Sequence, residues 1–255
     1  GMTYTPPSRP LRVLIIGGGA REHALAWKLR QSPLLGELAA APGNPGIARL
    51  ARIVPIAAED VDGIVEHARV ESYDLVIVGP EDPLAAGLVD RLVAAGIPTF
   101  GPTAAAARIE SSKSYMKEIC ESAGIPTARS ESFTGSQLDR ALAYTRAQGL
   151  PVVLKADGLF KGKGVVIATT WAGAEETIRA MLVDGAFGAA GRRLLVEEYL
   201  DGAEVSLLAL CDGDRAIPLL PVRDHKRAHD DDRGPNTGGM GAFAPVPDGG
   251  TELAA

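Results

Sequence analysis

Residues 11–31, LRVLIIGGGAREHALAWKLRQ, restrict the possible folds more than any other stretch of the chain. An apolar run from residue 11 to 16 passes into a glycine turn, then into a helix with Ala24, Trp27 and Leu29 among its apolar positions. Strand, glycine turn and helix in that order open a doubly wound α/β sheet. The pattern recurs downstream. ELAAAPGNPG ends a second short strand, EDVDGIVEHARV reads as a helix, and DLVIVGPEDP reads as a strand entering a tight turn. PLAAGLVDRLVAAG is then helical, with Gly96 just past its end as a cap. Alternating strands and helices predict a parallel sheet covered on both faces.

The style changes after residue 100. TAAAARIESSKSYMKEICESAG is largely helical, and from residue 129 the reading is strand, helix 136–148, a glycine-rich hairpin, helix 171–184, then the strand RLLVEEYL. A second hairpin turns at Cys211-Asp212-Gly213-Asp214. Hairpins mean antiparallel pairing, so this half is an α+β unit. The tail from Pro221 has no periodic apolar pattern and reads as a loop. AGIPT at 95–99 and again at 123–127, with QGLPVV at 148–153, is punctuation: helix end, glycine, then a strand started by proline. The first ten residues, GMTYTPPSRP, have no periodicity, and the Gly before Met suggests a cleaved expression tag.

Composition narrows the function. A chain of 255 residues can hold two packed units. With 46% hydrophobic and 23% charged residues it has the balance of a globular protein, and no apolar run reaches the roughly 18 residues of a membrane span. A formal net charge of −6 argues against nucleic acid as partner, because such surfaces carry a basic excess. Two cysteines, Cys120 and Cys211, make no disulfide framework and no C-x-x-C motif, so a reducing cytoplasm is the simplest setting and both are expected in the core.

The motifs point to anions. Gly17-Gly18-Gly19-Ala20-Arg21-Glu22 falls short of the dinucleotide fingerprint G-x-G-x-x-G, since Glu22 stands at the third glycine, and Pro42-Gly43-Asn44 replaces the acidic residue expected after the second strand. What remains is a helix N-terminus with bare N–H groups beside Arg21, which suits one phosphomonoester; the plain alternative is a structural tight turn. Gly158 to Gly164 reads G-x-x-x-G-K-G, too short for a Walker A loop and followed by a strand, so the physical alternative is a flap laid over phosphates. Lys155, inside an apolar strand, wants an anion. Glu197, Glu198 and Glu204 could accept from an adenine amino group or ribose hydroxyls, but alone they read as a solvated strand end. His225 and His229 stand four apart beside three aspartates, yet nothing makes the segment helical, and no metal ligands are assigned. Residues 235–241, PNTGGMG, form a nest of N–H donors.

The stretches IIGGGAREHALAWKL, APGNPGIA, DLVIVGPEDPL, GIPTFGPT, SKSYMKE, LKADGLFKGKGV, VEEYLDGAEVS and DHKRAHDDDRGPNTGGMGA together resemble the glycinamide ribonucleotide synthetases, the phosphoribosylamine-glycine ligases of the ATP-grasp superfamily. The likeness runs from residue 11 to about 247, and its last motif is the most specific. The resemblance implies a Rossmann-like parallel-sheet domain over 11–109 and an incomplete α+β ATP-grasp domain over 110–255. It further implies ATP-dependent joining of glycine to 5-phosphoribosylamine in purine synthesis, through glycyl phosphate.

By that resemblance Lys113, Lys155 and the flap of Gly158, Gly162, Lys163 and Gly164 hold the ATP phosphates, with Lys155 and Lys163 catalytic. Glu197, Glu198, the Leu200 backbone and Glu204 hold adenine and ribose. Gly19, Ala20, Arg21 and Glu22, then Gly79, Pro80 and Glu81, face phosphoribosylamine and glycine, as do Asp224, His225, Lys226 and Arg227. Asn236, Thr237, Gly238, Gly239, Met240 and Gly241 complete the substrate set. Phe160-Lys161 stand where the family usually has small residues. The family continues past residue 255 through the Mg²⁺ ligands and a further domain, so the expectation is an inactive N-terminal fragment. The edge at 194–211 is expected to be unpaired and prone to self-association. Two other readings stay open: a different ATP-grasp ligase or carboxylase, and a nucleotide-binding module completed by a partner.

Overall fold

The structure, a computed structural model, describes residues 5–157, 164–186, 188, 192–231 and 233–247. The chain divides into two compact units at Ile125/Pro126.

Unit 1 contains β1 (Leu11–Gly17), α1 (Ala20–Leu29), β2 (Leu35–Pro42), β3 (Arg52–Ile53), α2 (Val61–Glu71), β4 (Leu75–Val78), α3 (Glu81–Ala85), α4 (Leu88–Ala94), β5 (Thr99–Phe100), α5 (Ala104–Ser111) and α6 (Lys113–Ser122). Its five strands are parallel in the order β3-β2-β1-β4-β5. β1 is buried on both faces, as its unbroken apolar run predicts. Leu14 and Ile16 pack with Ile64 and Ala68 of α2 and Leu88 and Leu92 of α4, while Val13 and Ile15 pack with Ala26 of α1 and with Ile47. Trp27, expected on the apolar stripe of α1, is instead 59% exposed, because Leu25, Ala26 and Leu29 supply the inward face. The single helix expected over 83–95 is two, α3 and α4, separated at Gly87. The run after residue 103 likewise breaks at Ser112, whose hydroxyl caps α6 by accepting from the Tyr115 N–H.

At the N-terminal ends of these strands lies a network of Arg12, Glu37, Arg52, Glu71 and Tyr73. The Arg12 hydrogen bond holds the Glu37 carboxyl below its ordinary 4.5, and Arg9 holds that of Asp74 below its ordinary 3.8. His67, whose ring nitrogen lies 3.0 Å from the Tyr73 hydroxyl, is pushed below its ordinary 6.5 by burial, against the opposing charge of Glu71. All three groups are shifted downward, so the unfolded chain binds their protons more readily. Their stabilisation is present above the ordinary values and is lost as pH falls. The melting temperature is therefore expected to fall first as pH drops through the ordinary imidazole range and again below the ordinary carboxylate range. His67→Gln should abolish the first step and leave the second, which thermal scans across pH would check.

Unit 2 contains β6 (Ser130–Thr134), α7 (Leu138–Gln148), β7 (Val152–Ala156), β8 (Val165–Ala168), α8 (Trp171–Leu182), β9 (Arg193–Glu198), β10 (Ala209–Cys211), β11 (Ala216–Pro218), β12 (Arg223–His229) and β13 (Arg233–Phe243). A four-stranded antiparallel sheet has the order β6-β9-β7-β8. One face, with Phe133, Val152, Leu154, Leu194 and Val196, packs on α7 and α8 through Ala141, Ala174 and Ile178.

Three expectations are corrected, the first two in this half. β9 is no free edge: it is hydrogen-bonded to β6 on one side and β7 on the other, while β10 pairs with β11. The tail beyond Pro221 is not a loop, since β12 and β13 form a long antiparallel hairpin. Neither cysteine is in the core; Cys120 is half-buried and Cys211 exposed. Among the described residues no helix is long and apolar enough to cross a membrane.

Candidate active site

The switch point of unit 1, where successive crossovers leave in opposite directions, lies between β1 and β4, and ligands of open α/β sheets sit outside the strand ends there. A cleft of about 640 Å³ opens at this end, lined by residues 17–22, Pro42, residues 55–59, Pro80 and Glu81. β1 reaches it through Gly17, whose φ of +125° is a conformation that a side chain would strain. The turn is braced from both sides. The Gly43 N–H donates to the Gly17 carbonyl (3.1 Å), and the Gly79 N–H donates to that of Ile16 (3.1 Å). Asn44 donates through Nδ2 to the Gly18 carbonyl (3.0 Å) and accepts the Ile47 N–H on Oδ1 (2.8 Å). Ala20 and Arg21 begin α1, so their N–H groups have no partner four residues back.

Arg21, expected at a phosphate, donates to the Gly79 carbonyl (2.8 Å) and to Glu81 Oε1 (3.0 Å). Both side chains of that ion pair are about half exposed, so it contributes about 0–1 kcal/mol and can be exchanged for a ligand. Glu22, expected to face substrate, is 4% exposed and accepts the Gly19 N–H at 2.7 Å. Asn44 and the wall at 55–59 were not assigned from sequence. For Asn44 a signal existed, an Asn after Gly in a turn; for the wall there was none.

In unit 2, Lys155 on β7 lies diagonally from Glu197 on β9, two residues along from its direct partner Leu195. Lys155 Nζ is 2.6 Å from Glu197 Oε1, the lysine side chain 24% and the glutamate 9% exposed. The anion beside Lys155 is thus a protein carboxylate. Both side chains project on the sheet face opposite α7 and α8. Glu198 binds Arg129 through both the main-chain N–H (2.8 Å) and the guanidinium (3.1 Å). Leu200 is exposed, and Glu204 pairs with Lys226 at 3.4 Å. Lys113 opens α6 in unit 1. Gly164 precedes β8 and accepts the Ala156 N–H on its carbonyl, whereas Gly158, Gly162 and Lys163 lie outside the described residues.

The two late motifs come together as one hairpin, with Asp224 opposite Ala242, His225 opposite Gly241 and Arg227 opposite Asn236. Arg227 donates to the Gly234 carbonyl, Thr237 Oγ1 accepts the Gly239 N–H, and Met240 is exposed. Gly238 lies within β13. Among the described residues no group of three His, Cys, Asp or Glu is placed to hold a metal ion.

A Rossmann-like unit with a braced glycine turn, followed by an antiparallel sheet carrying a lysine–glutamate pair, has the architecture of ATP-grasp enzymes. Residues 11–110 match the family model for the phosphoribosylglycinamide synthetase N domain, and residues 111–254 match that for its ATP-grasp (A) domain. The chain belongs to the phosphoribosylglycinamide synthetase family. It is 53% identical over 237 residues to the phosphoribosylamine–glycine ligase of Rhizobium meliloti, and 51% identical over 239 residues to that of Xanthomonas axonopodis pv. citri. Each match covers 93% of this chain and 55% of the relative. The crystal structure of phosphoribosylamine–glycine ligase from Thermotoga maritima matches with a TM-score of 0.77 at 33% identity, covering 92% of this chain and 56% of that one. The chain therefore spans about half the length of the relatives it matches. The family models meet at 110/111, whereas α5 and α6 cluster with unit 1.

Proposed function

We propose that this chain carries the nucleotide and sugar-phosphate sites of an ATP-dependent ligase that joins glycine to 5-phosphoribosylamine. The observation that carries the reading is the unbroken match of both units, in order, to the two family domains. In the reaction a glycine carboxylate oxygen attacks the γ-phosphorus of ATP and displaces ADP. The amine nitrogen of phosphoribosylamine then attacks the glycyl carbonyl carbon, loses a proton and expels phosphate. A carboxylate does not acylate an amine at neutral pH without such a leaving group, so the protein's task is positioning and charge neutralisation.

In unit 1 the 5-phosphate sits on the free N–H groups of Ala20 and Arg21, with the Arg21 guanidinium turning from Glu81 to the phosphate. In unit 2 Lys155 releases Glu197 for a phosphate oxygen of ATP, and the freed carboxylate accepts from ribose hydroxyls or the adenine amino group. The flap and the backbone of Leu200 complete the nucleotide site in this unit, and the β12–β13 hairpin presents its N–H groups to the acyl phosphate. Mg²⁺ is expected with ATP, but no step is assigned to it through these residues. A cytoplasmic setting fits a biosynthetic ligase with two reduced cysteines.

A chimera tests the reading. With residues 11–247 in place of the matching half of the Rhizobium meliloti ligase, ADP formation is expected to require both glycine and phosphoribosylamine. A folded chimera whose ATP turnover ignores glycine would overturn the assignment.

A further inference from the structure

The geometry points to Glu22 as a specificity-determining residue that plugs the switch-point crevice, so that the glycine turn admits a phosphomonoester and rejects a dinucleotide pyrophosphate. The position matters first. Gly17, Gly19 and residue 22 have the spacing of the three fingerprint glycines, and in that fingerprint the third lets helix and strand approach closely while the turn receives a pyrophosphate. Here the third position carries a carboxylate, and it is almost wholly buried, at 4% exposure.

Its location follows from how tightly glycines surround it. A Cβ built on Gly79 would lie 2.0 Å from Glu22 Oε1, and one on Gly17 would lie 2.7 Å from Glu22 Cδ. Gly17 ends β1 and Gly79 follows β4, so the carboxylate fills the space between the two strands that flank the switch point. Three effects then act together against a pyrophosphate. The volume is taken, and the Gly19 N–H is already bound to Oε2 at 2.7 Å. A buried negative charge also repels a second phosphate brought against it. One phosphate held further out, on the N–H groups of Ala20 and Arg21, meets none of these obstacles.

The inference deepens the phosphoribosylamine reading and is tested apart from activity. Amide resonances of residues 18–20 in the 255-residue chain report occupancy of this turn and of no other site. Ribose 5-phosphate and ADP-ribose are the probes. The unmodified chain is expected to bind ribose 5-phosphate at least tenfold more tightly than ADP-ribose at these amides. Glu22→Gly, which opens the crevice, should raise ADP-ribose affinity there at least tenfold, whereas Glu22→Gln, of the same volume, should keep the exclusion. If Glu22→Gly does not fold, Glu22→Ala removes the same plug and carries the same expectation. Equal affinities in the unmodified chain, or an unchanged ratio in a folded Glu22→Gly or Glu22→Ala variant, would overturn the inference. Should ribose 5-phosphate leave the amides unmoved while the opened variant takes up ADP-ribose, the phosphoribosylamine reading fails and the plug stands.

Discussion

Gly79→Ala is expected to lower the stability of unit 1 by about 3 kcal/mol, as the sum of an overpacked contact and a displaced hydrogen bond. The added methyl would stand 2.0 Å from Glu22 Oε1 and 2.7 Å from its Cδ, far inside contact distance, so the almost wholly buried glutamate side chain must shift. Moving that carboxylate breaks its bond to the Gly19 N–H and unseats the turn. A change of this size lowers the melting temperature by roughly 6–12 °C in a chain of this length. The informative comparison is the double variant Gly79→Ala/Glu22→Ala, in which the obstacle is gone. It should be more stable than Gly79→Ala alone, giving a non-zero interaction energy where simple additivity gives none. Thermal melts of the four proteins decide the matter, and equal loss from Gly79→Ala with or without Glu22 would show that the two residues do not compete for space.

Lys155→Met should act on both stability and binding. It deprives a nearly buried carboxylate, Glu197, of a partner at 2.6 Å. Since the lysine keeps about a quarter of its side chain in solvent, roughly 2–4 kcal/mol of stability should be lost, short of the cost for a wholly buried pair. Under the proposed function the same substitution removes a cation from the ATP phosphates, worth about 1.5–3 kcal/mol, or a tenfold to hundredfold weaker binding. Adding Glu197→Gln separates these effects. The double variant should regain much of the lost stability and none of the ATP affinity, as read by calorimetric titration and chemical denaturation. ATP affinity within twofold of the unmodified chain would remove Lys155 from the nucleotide site.

The alternation of unit 1 was legible because each buried strand is a continuous apolar run and each helix has its own period, so β1, β2, α2 and β4 follow from local pattern alone. The β7–β8 hairpin was legible for the same reason. What escaped depends on residues far apart in the chain. The partner of Lys155 lies 42 residues downstream and becomes a neighbour only through the β7–β9 register, so the need for an anion could be read but its identity could not. β12 is written RDHKRAH, has no buried residue, and shows no apolar alternation to mark it as a strand. Glu22 looked like an ordinary acidic residue in a first helical turn. The glycine turn and the approach of Gly79 after β4 bury it together, and the second of these lies far along the chain.

The order β6-β9-β7-β8 has a consequence for how this chain comes into being on the ribosome. The parallel sheet of unit 1 is complete once β5 at Phe100 has emerged; three of its four pairings join strands consecutive in the chain, the last strand made is an edge, and only β1–β4, with Val13 opposite Leu75, is long-range. In unit 2 the strand made last among the four, Arg193–Glu198, is the one that belongs in the middle. Until it arrives, β6 has no strand to pair with, and the β7–β8 hairpin exposes the flank β9 will fill. Closing the sheet then means inserting a strand between two that are already waiting, at the entropic cost of closing the long segment from Thr134 to Arg193. The nascent chain thus passes through an interval, ending with residue 198, in which its first half is folded and its second half displays two unsatisfied strand edges to whatever is nearby.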